Sequence, residues 1–163
     1  MNENQNIYFQ ARKNASKCND RLSSRESAAE LIGVSPSSLA DYELGNTKVV
    51  PVDKVVLMAD LYNCPELKNS YCKNECPIGK GMPIATTVRG IEGIALRVLK
   101  EFDVSRLEEM RKQIIDITAD GKITPDEEVV LVELLENLDR IGMAISEFRL
   151  AGTKILKGTV KDD

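Results

Sequence analysis

The chain has 163 residues and lacks histidine, and its 22 Lys and Arg stand against 26 Asp and Glu, which gives a formal net charge of −4. Hydrophobic residues make up 42% of the sequence but aromatic residues only 4%, so we expect aliphatic cores in two small domains. Because the sequence has no apolar run of about 18 residues and no secretion-signal pattern at its start, we expect a cytoplasmic protein with no membrane partner.

The first predicted helix runs from Ile7 to about Ala15. A second helix is capped by Ser23 or Ser24 and ends at Gly33, because glycine adopts a left-handed turn without strain. The residues that this second helix turns inward are Ala28, Ala29, Leu31 and Ile32. Two alanines on this face let another helix cross at close range.

A third helix is predicted directly after the turn. Ser35 is a good N-cap and Pro36 is tolerated at the first helical position, so this helix should run to Leu44 and stop at Gly45. Its inward side chains are Leu39 and Tyr42. Its outward side chains are Ser37, Ser38 and Asp41.

The segment AAELIGVSPSSLADYELG, residues 28–45, resembles the phage-repressor and Cro (Xre-type) helix-turn-helix family, with its Ala-x-x-x-Gly-Val-Ser core and Tyr-Glu-x-Gly ending. The resemblance covers roughly residues 5–66. It implies an all-α chain that begins with a five-helix, lambda-repressor-like DNA-binding domain. The fourth helix would be Val52–Tyr62, and the fifth a short turn near Pro65–Ser70.

The resemblance further implies that the third helix enters the major groove of double-stranded DNA. The DNA-contacting residues that it implies are Arg25, Ser35, Ser37, Ser38, Asp41, Asn46, Thr47 and Lys48. No Lys or Arg lies between Arg25 and Lys48, and residues 1–80 carry ten basic and ten acidic residues, a net charge of zero. We therefore expect modest affinity and binding as a homodimer, since phosphate neutralisation supplies most non-specific affinity.

The second half of the chain predicts three further helices with apolar rows. The rows are Val88, Ile91, Ala95, Val98 and Phe102; Val104, Leu107, Met110, Ile114 and Ile117; and Leu131, Leu134, Leu138, Ile141, Ile145 and Phe148. Thr124 to Glu127 reads as a capping box that starts the last helix. The rows can form a helical bundle or hairpin within one chain or a larger bundle shared by two chains, and the narrow last row favours the dimer. Beyond it, Lys154, Lys157 and Lys161 are expected in a frayed, solvated tail.

Residues Asp116 to Glu127 have the length of a calcium loop, with acidic residues at the first, fifth and twelfth positions. Thr118 replaces the usual acidic or amide ligand at the third position, and Lys122 adds a cation. A helical hairpin turned by Asp120 and Gly121 explains the same residues without a metal, so the hairpin is the preferred interpretation and calcium the alternative.

Cys64, Cys72 and Cys76 cluster near a loop-like segment, and Cys18 lies far upstream. Three thiols could bind zinc or an iron–sulfur cluster if a fourth ligand came close, but the chain has neither a Cys-x2-Cys pair nor a histidine. Free thiols are the default interpretation, with a redox-responsive pair and a metal site as alternatives. We therefore expect no cofactor.

These patterns predict a DNA-binding domain over 1–70, a cysteine-containing linker over 71–86 and a C-terminal helical domain over 87–163. Enzyme chemistry is not expected, because the sequence has no histidine base, phosphate loop or nucleophile motif. The main hypothesis is a dimeric DNA-binding transcriptional regulator of bacterial or phage origin. The alternative is a protein-interaction adaptor that uses the same fold without strong DNA binding.

Overall fold

The computed structural model describes residues 6–87 and 90–159, apart from the side chains of residues 158 and 159. All regular secondary structure in these residues is helical, which confirms the all-α prediction. The chain forms two compact units: Met1–Lys80 together with Thr153–Asp163, and Gly81–Gly152. These limits differ from the expected 1–70, 71–86 and 87–163. None of the described helices is long and apolar enough to cross a membrane.

The first unit contains five α-helices, namely α1 Ile7–Ala15, α2 Arg25–Ile32, α3 Pro36–Leu44, α4 Val52–Leu61 and α5 Glu66–Asn74. Capping side chains set the predicted starts of α2 and α3: the hydroxyl oxygen of Ser24 accepts from Ser27 N, and that of Ser35 from Ser38 N. The predicted stops are also confirmed, since Gly33 and Gly45 have φ of 70° and 77°.

The fifth helix corrects the sequence interpretation. The short turn expected near Pro65–Ser70 is a nine-residue helix that continues to Asn74. Leu67 is fully buried and Tyr71 packs against the same core, so tertiary packing sustains a helix whose sequence is polar. Cys72 therefore lies on a helix, within what was expected to be the linker.

A small aliphatic and tyrosine core holds the five helices together. Its largest fully buried apolar side chains come from every part of the unit and are Leu22, Ile32, Leu39, Met58 and Leu67. Ala28 and Ala29 are buried where α2 meets α3 and α4, as predicted for a close helix crossing.

Two segments that follow α5 in the chain also contact this unit. The 3₁₀ turn Gly79–Gly81 lies against α5 so closely that a Cβ on Gly79 would be 2.1 Å from the carbonyl oxygen of Cys72. The chain also returns to this unit after Gly152. There Lys154 pairs with Glu66, and the Nζ of Lys157 lies 2.7 Å from Oδ1 of Asp60. The expectation of a frayed tail is therefore wrong for Lys154 and Lys157, while Lys161 is outside the described residues.

The second unit contains α6 Ile91–Glu101, α7 Val104–Thr118 and most of α8 Pro125–Thr159. The predicted capping box starts α8: the backbone N–H of Thr124 donates to Oε2 of Glu127 at 2.8 Å, and the N–H of Glu127 donates to Oγ1 of Thr124 at 3.4 Å. Between α7 and α8, Asp120 Oδ1 accepts from the N–H of Lys122, and Gly121 has a φ of 71°. The segment is thus the turn of a helical hairpin.

The core of the second unit is small. Met110, Ile117 and Leu134 form its buried cluster, with Ile141 packed against them. In α6 the buried apolar residue is Ile94, which the expected row omitted, whereas Ile91 of that row is 39% exposed. The expected α6 row was therefore incomplete: Ala95 and Val98 are half-buried beside Ile94, Phe102 is exposed, and Val88 lies outside the described residues.

Candidate nucleic-acid interface

Helices α2 and α3 form a compact pair joined by a tight turn. The N–H of Val34 donates to the carbonyl oxygen of Ala29 at 3.0 Å, which closes the end of α2 after Gly33. On the other side of the turn, Lys54 of α4 directs its Nζ to the carbonyl oxygens of Ile32 and Gly33, each at 3.4 Å. A cation at a helix C-terminus is electrostatically favourable, so α4 fixes the angle at which the pair meets.

The N-terminus of α3 presents three hydroxyl groups. Ser35 Oγ lies 2.9 Å from Ser37 Oγ and 2.8 Å from Ser38 Oγ, and it also accepts from the N–H of Ser38. Ser35 and Ser37 are exposed and Ser38 is half-buried. Since a hydroxyl can donate or accept, this cluster can hydrogen-bond to acceptor groups and to donor groups on base edges.

Asp41 organises the loop that follows α3. Its Oδ1 accepts from Nδ2 of Asn46 at 3.0 Å, and its carbonyl oxygen accepts from the N–H groups of Asn46 and Thr47. The structure therefore brings these three predicted residues together, next to the exposed Lys48. Asp41 acts here as an acceptor for the loop, which places Thr47 and Lys48 at the end of the exposed face of α3.

Arg25 is placed differently from the other predicted residues. It begins α2, but its Nε donates to Oε2 of Glu43 at 2.7 Å, and its side chain is only 30% exposed. Glu43 also accepts from Arg12, with Nε–Oε1 and Nη2–Oε2 distances of 2.5 and 2.8 Å. Arg12 and Glu43 are fully buried, so the first and third helices are joined by a buried, bidentate ion pair.

The Arg12–Glu43 pair also reaches the start of α2. The Nη1 of Arg12 donates to the carbonyl oxygens of Leu22 and Ser23, at 3.0 and 3.2 Å. The hydrogen bond to Glu43 raises the pKa of Arg12, and burial together with the nearby Glu43 charge raises the pKa of Tyr62. This cluster thus fixes α3 relative to α1 and α2, and it is a part of the site that the sequence interpretation missed.

A sequence signal for Glu43 was present. Leu39, Tyr42 and Glu43 lie at i, i+3 and i+4, so Glu43 is on the same inward face as the two predicted core residues. In the first helix, Tyr8, Ala11 and Arg12 have the same spacing. Opposite charges on two inward faces indicate a buried ion pair.

The described residues contain no site for the zinc, iron–sulfur or calcium hypotheses. No group of three or more His, Cys, Asp or Glu side chains in 6–87 and 90–159 is placed to hold a metal ion. This covers both the cysteine set Cys64, Cys72 and Cys76 and the loop Asp116 to Glu127. None of the four cysteines is in a disulfide, and burial raises the pKa of the Cys64 thiol to about 12.

The helix pair lies within a segment that matches a known family. Residues 21–68 match the helix-turn-helix family model, from the turn before α2 to the first part of α5. This part of the chain is a helix-turn-helix domain of the Xre and lambda-repressor type. Comparisons with curated proteins and with solved structures gave no match. Helix-turn-helix domains of this type are typical of DNA-binding regulators, and such domains place the second helix of the pair in the major groove.

Proposed function

We propose that the protein is a sequence-specific transcriptional regulator that binds double-stranded DNA as a homodimer, with α3 of each copy in the major groove. The observation that carries this proposal is the helix-turn-helix pair with its exposed hydroxyl cluster at the start of α3. Ser35, Ser37 and Ser38 supply hydrogen bonds to base edges, and Thr47 and Lys48 contact the phosphate backbone. The protein acts by binding rather than by catalysis.

The charge of the helix-turn-helix domain predicts weak dependence on salt. Arg12 and Arg25 bind Glu43, so the exposed cations flanking the pair in sequence are Arg21 and Lys48. Two phosphate contacts per copy correspond to a slope of log K against log salt of about −2, or about −4 for a dimer. Specificity must therefore come mainly from shape and hydroxyl contacts.

The C-terminal unit supports the homodimer. Leu134 and Ile141 of the predicted row pack inside the unit, but six large apolar side chains in the part of α8 that belongs to this unit are 41–71% exposed. They are Val129, Val132, Leu135, Leu138, Ile145 and Phe148. Exposed apolar surface of this extent on a single chain is unusual, and a second copy carries the same surface. A dimer would also supply the second reading helix that a neutral domain needs.

Selection from a genomic fragment library at low salt tests DNA binding directly. We expect the full chain to enrich a small set of fragments with two related half-sites. In the variant Ser38→Glu this enrichment should disappear, because a carboxylate faces phosphates and acceptor edges. The fold should be preserved, since Glu three residues after Ser35 completes a capping box. Ser105→Glu, the same change at an exposed position of α7, is the matched control.

Lys48→Ala tests the phosphate contact. Affinity should fall for all sequences alike, and the salt slope should become shallower by about one unit per copy. Lys17→Ala, at an exposed position of the same unit, should leave the slope unchanged. Equal slopes for both variants would contradict the placement of Lys48 at the DNA.

The homodimer is tested by sedimentation. Leu138→Asp with Ile145→Asp should give monomers that remain folded, because both side chains are exposed in the single chain and would bury charge only in the dimer. Leu134→Asp is the contrasting variant and should unfold the second unit, since Leu134 is 1% exposed. A wild-type chain that is monomeric at tens of micromolar would refute the dimer.

The adaptor alternative makes the opposite prediction for DNA. It is favoured by the absence of Lys and Arg between Arg25 and Lys48. If the wild-type chain enriches no fragment at low salt while its second unit still self-associates, the helix-turn-helix domain serves protein contacts instead.

A further inference from the structure

A cavity of about 390 Å³ lies in the first unit, beside the loop that follows α3. It is open to solvent on one side and is lined by the start of α1, the loop Gly45–Val50 and the last two turns of α5. Its volume is within the usual range for small-molecule sites. The proposed DNA contacts use Thr47 and Lys48 of its lining, but they do not require a cavity beside these residues.

Three tyrosines line this cavity. They are Tyr8 and Tyr42, which are buried, and Tyr71, which is half-buried. Within the described part of the chain, their hydroxyls take part in no hydrogen bond, so they are available to a ligand. Aromatic faces of this kind attract organic cations.

Opposite charges stand at the same cavity. Glu75 and Lys48 both line it and both are exposed, yet neither takes part in an ion pair with another described residue. The Glu75 carboxylate is close enough to the phenol of Tyr8 to contribute to its raised pKa of about 12, for which burial is the larger cause. Glu75 can therefore attract a cation at the tyrosines, and Lys48 an anion at the loop.

We propose that this cavity binds a small zwitterion, a free amino acid or a closely similar compound. The ligand's ammonium group contacts Glu75 and the tyrosine rings, and its carboxylate contacts Lys48. A Lys48 ammonium that holds a carboxylate cannot at the same time neutralise a DNA phosphate. On the proposed DNA-binding function, on which this step rests, the ligand therefore weakens operator binding.

The test measures binding of each free protein amino acid to the full chain by calorimetry and by tyrosine fluorescence. At least one amino acid should bind. Its affinity should fall about tenfold or more in Lys48→Gln and in Glu75→Gln, each of which removes one charged contact. Lys17→Gln and Glu30→Gln, which change exposed charges outside the cavity, should bind as the wild type does.

Ligand derivatives provide a second control that needs no change to the protein. The N-acetyl derivative lacks the ammonium group and the carboxamide lacks the carboxylate, so neither should bind as well as the parent amino acid. The proposal is wrong if no amino acid binds. It is also wrong if binding survives both cavity variants, or if either derivative binds as well as the parent amino acid.

DNA binding separates this proposal from the previous one. The amino acid should lower wild-type affinity for a selected fragment several-fold and leave Lys48→Gln unaffected. Amino-acid binding without any DNA binding would refute the regulator and retain the cavity assignment. DNA binding without amino-acid binding would refute the cavity assignment and retain the regulator.

Discussion

Glu43→Gln should destabilise the first unit by several kcal/mol. Glu43 is completely buried and is the acidic partner of both Arg12 and Arg25. The variant keeps the size of the side chain but leaves two guanidinium groups without a counter-charge, one of them buried. Breaking a buried ion pair by removing one partner typically costs about 3–5 kcal/mol. Because small domains are stable by only about 5–15 kcal/mol, this loss is a large part of the total.

Tyrosine fluorescence can follow this unit selectively. The chain has no Trp and four Tyr, at positions 8, 42, 62 and 71, all of them in the first unit. A loss of about 3 kcal/mol should lower the melting temperature of a domain of this size by roughly 12–24 °C. Circular dichroism on the same samples reports both units, so the helical signal of the second unit should persist after the tyrosine transition.

The matched control is Glu30→Gln. Its carboxylate is 77% exposed and lies 3.8 Å from the exposed guanidinium of Arg21, so the same chemical change should cost less than about 1 kcal/mol. If Glu43→Gln melts within a few degrees of this control, the buried ion pair does not fix the helix-turn-helix pair. Binding of Arg12 to two backbone carbonyls would then be sufficient.

Three further predictions concern other parts of the first unit. Gly79→Ala should destabilise it, because the new Cβ would lie 2.1 Å from a backbone carbonyl oxygen. In the control Gly81→Ala the new Cβ meets nothing within 4 Å, so this change should be tolerated. Thermal melting compares the two variants. A thiol reagent at pH 8 should modify the exposed Cys18 much faster than Cys64, whose pKa burial raises to about 12. Two lysine hydrogen bonds lower the pKa of Asp60 below 3.8, so its stabilising contribution, measured against Asp60→Asn, should be present above about pH 4 and be lost as the pH falls through the lowered pKa.

The ends of the first three helices could be predicted from sequence because local groups determine them. Ser24 and Ser35 satisfy N–H groups within three residues, and Gly33 and Gly45 adopt left-handed turns at the helix ends. These interactions are the same in any tertiary surrounding. The predicted bounds of α1, α2 and α3 therefore agree with the structure.

The features that could not be predicted depend on distant partners. Lys154 meets Glu66 across 88 positions of the chain, and its own neighbours in sequence suggest only an exposed helix end. The buried face of α6 was assigned only in part, with Ile94 omitted, because apolar residues lie on more than one side of this helix. Which side is buried depends on the surface that α6 packs against, and a periodicity count does not include that surface.

The same distinction explains the weak charge of the proposed DNA-binding surface. Ten Lys and Arg balance ten Asp and Glu in residues 1–80, and several of the cations act within the fold. Arg12 and Arg25 neutralise Glu43, Lys54 caps α2, and Lys68 lies 3.0 Å from Asp60. Cations used for folding cannot be counted toward phosphate binding, so the sequence total overstates the charge available to DNA. Non-specific DNA affinity depends on that charge, so this arrangement lowers it. Base reading depends on the placement of α3, which the arrangement preserves.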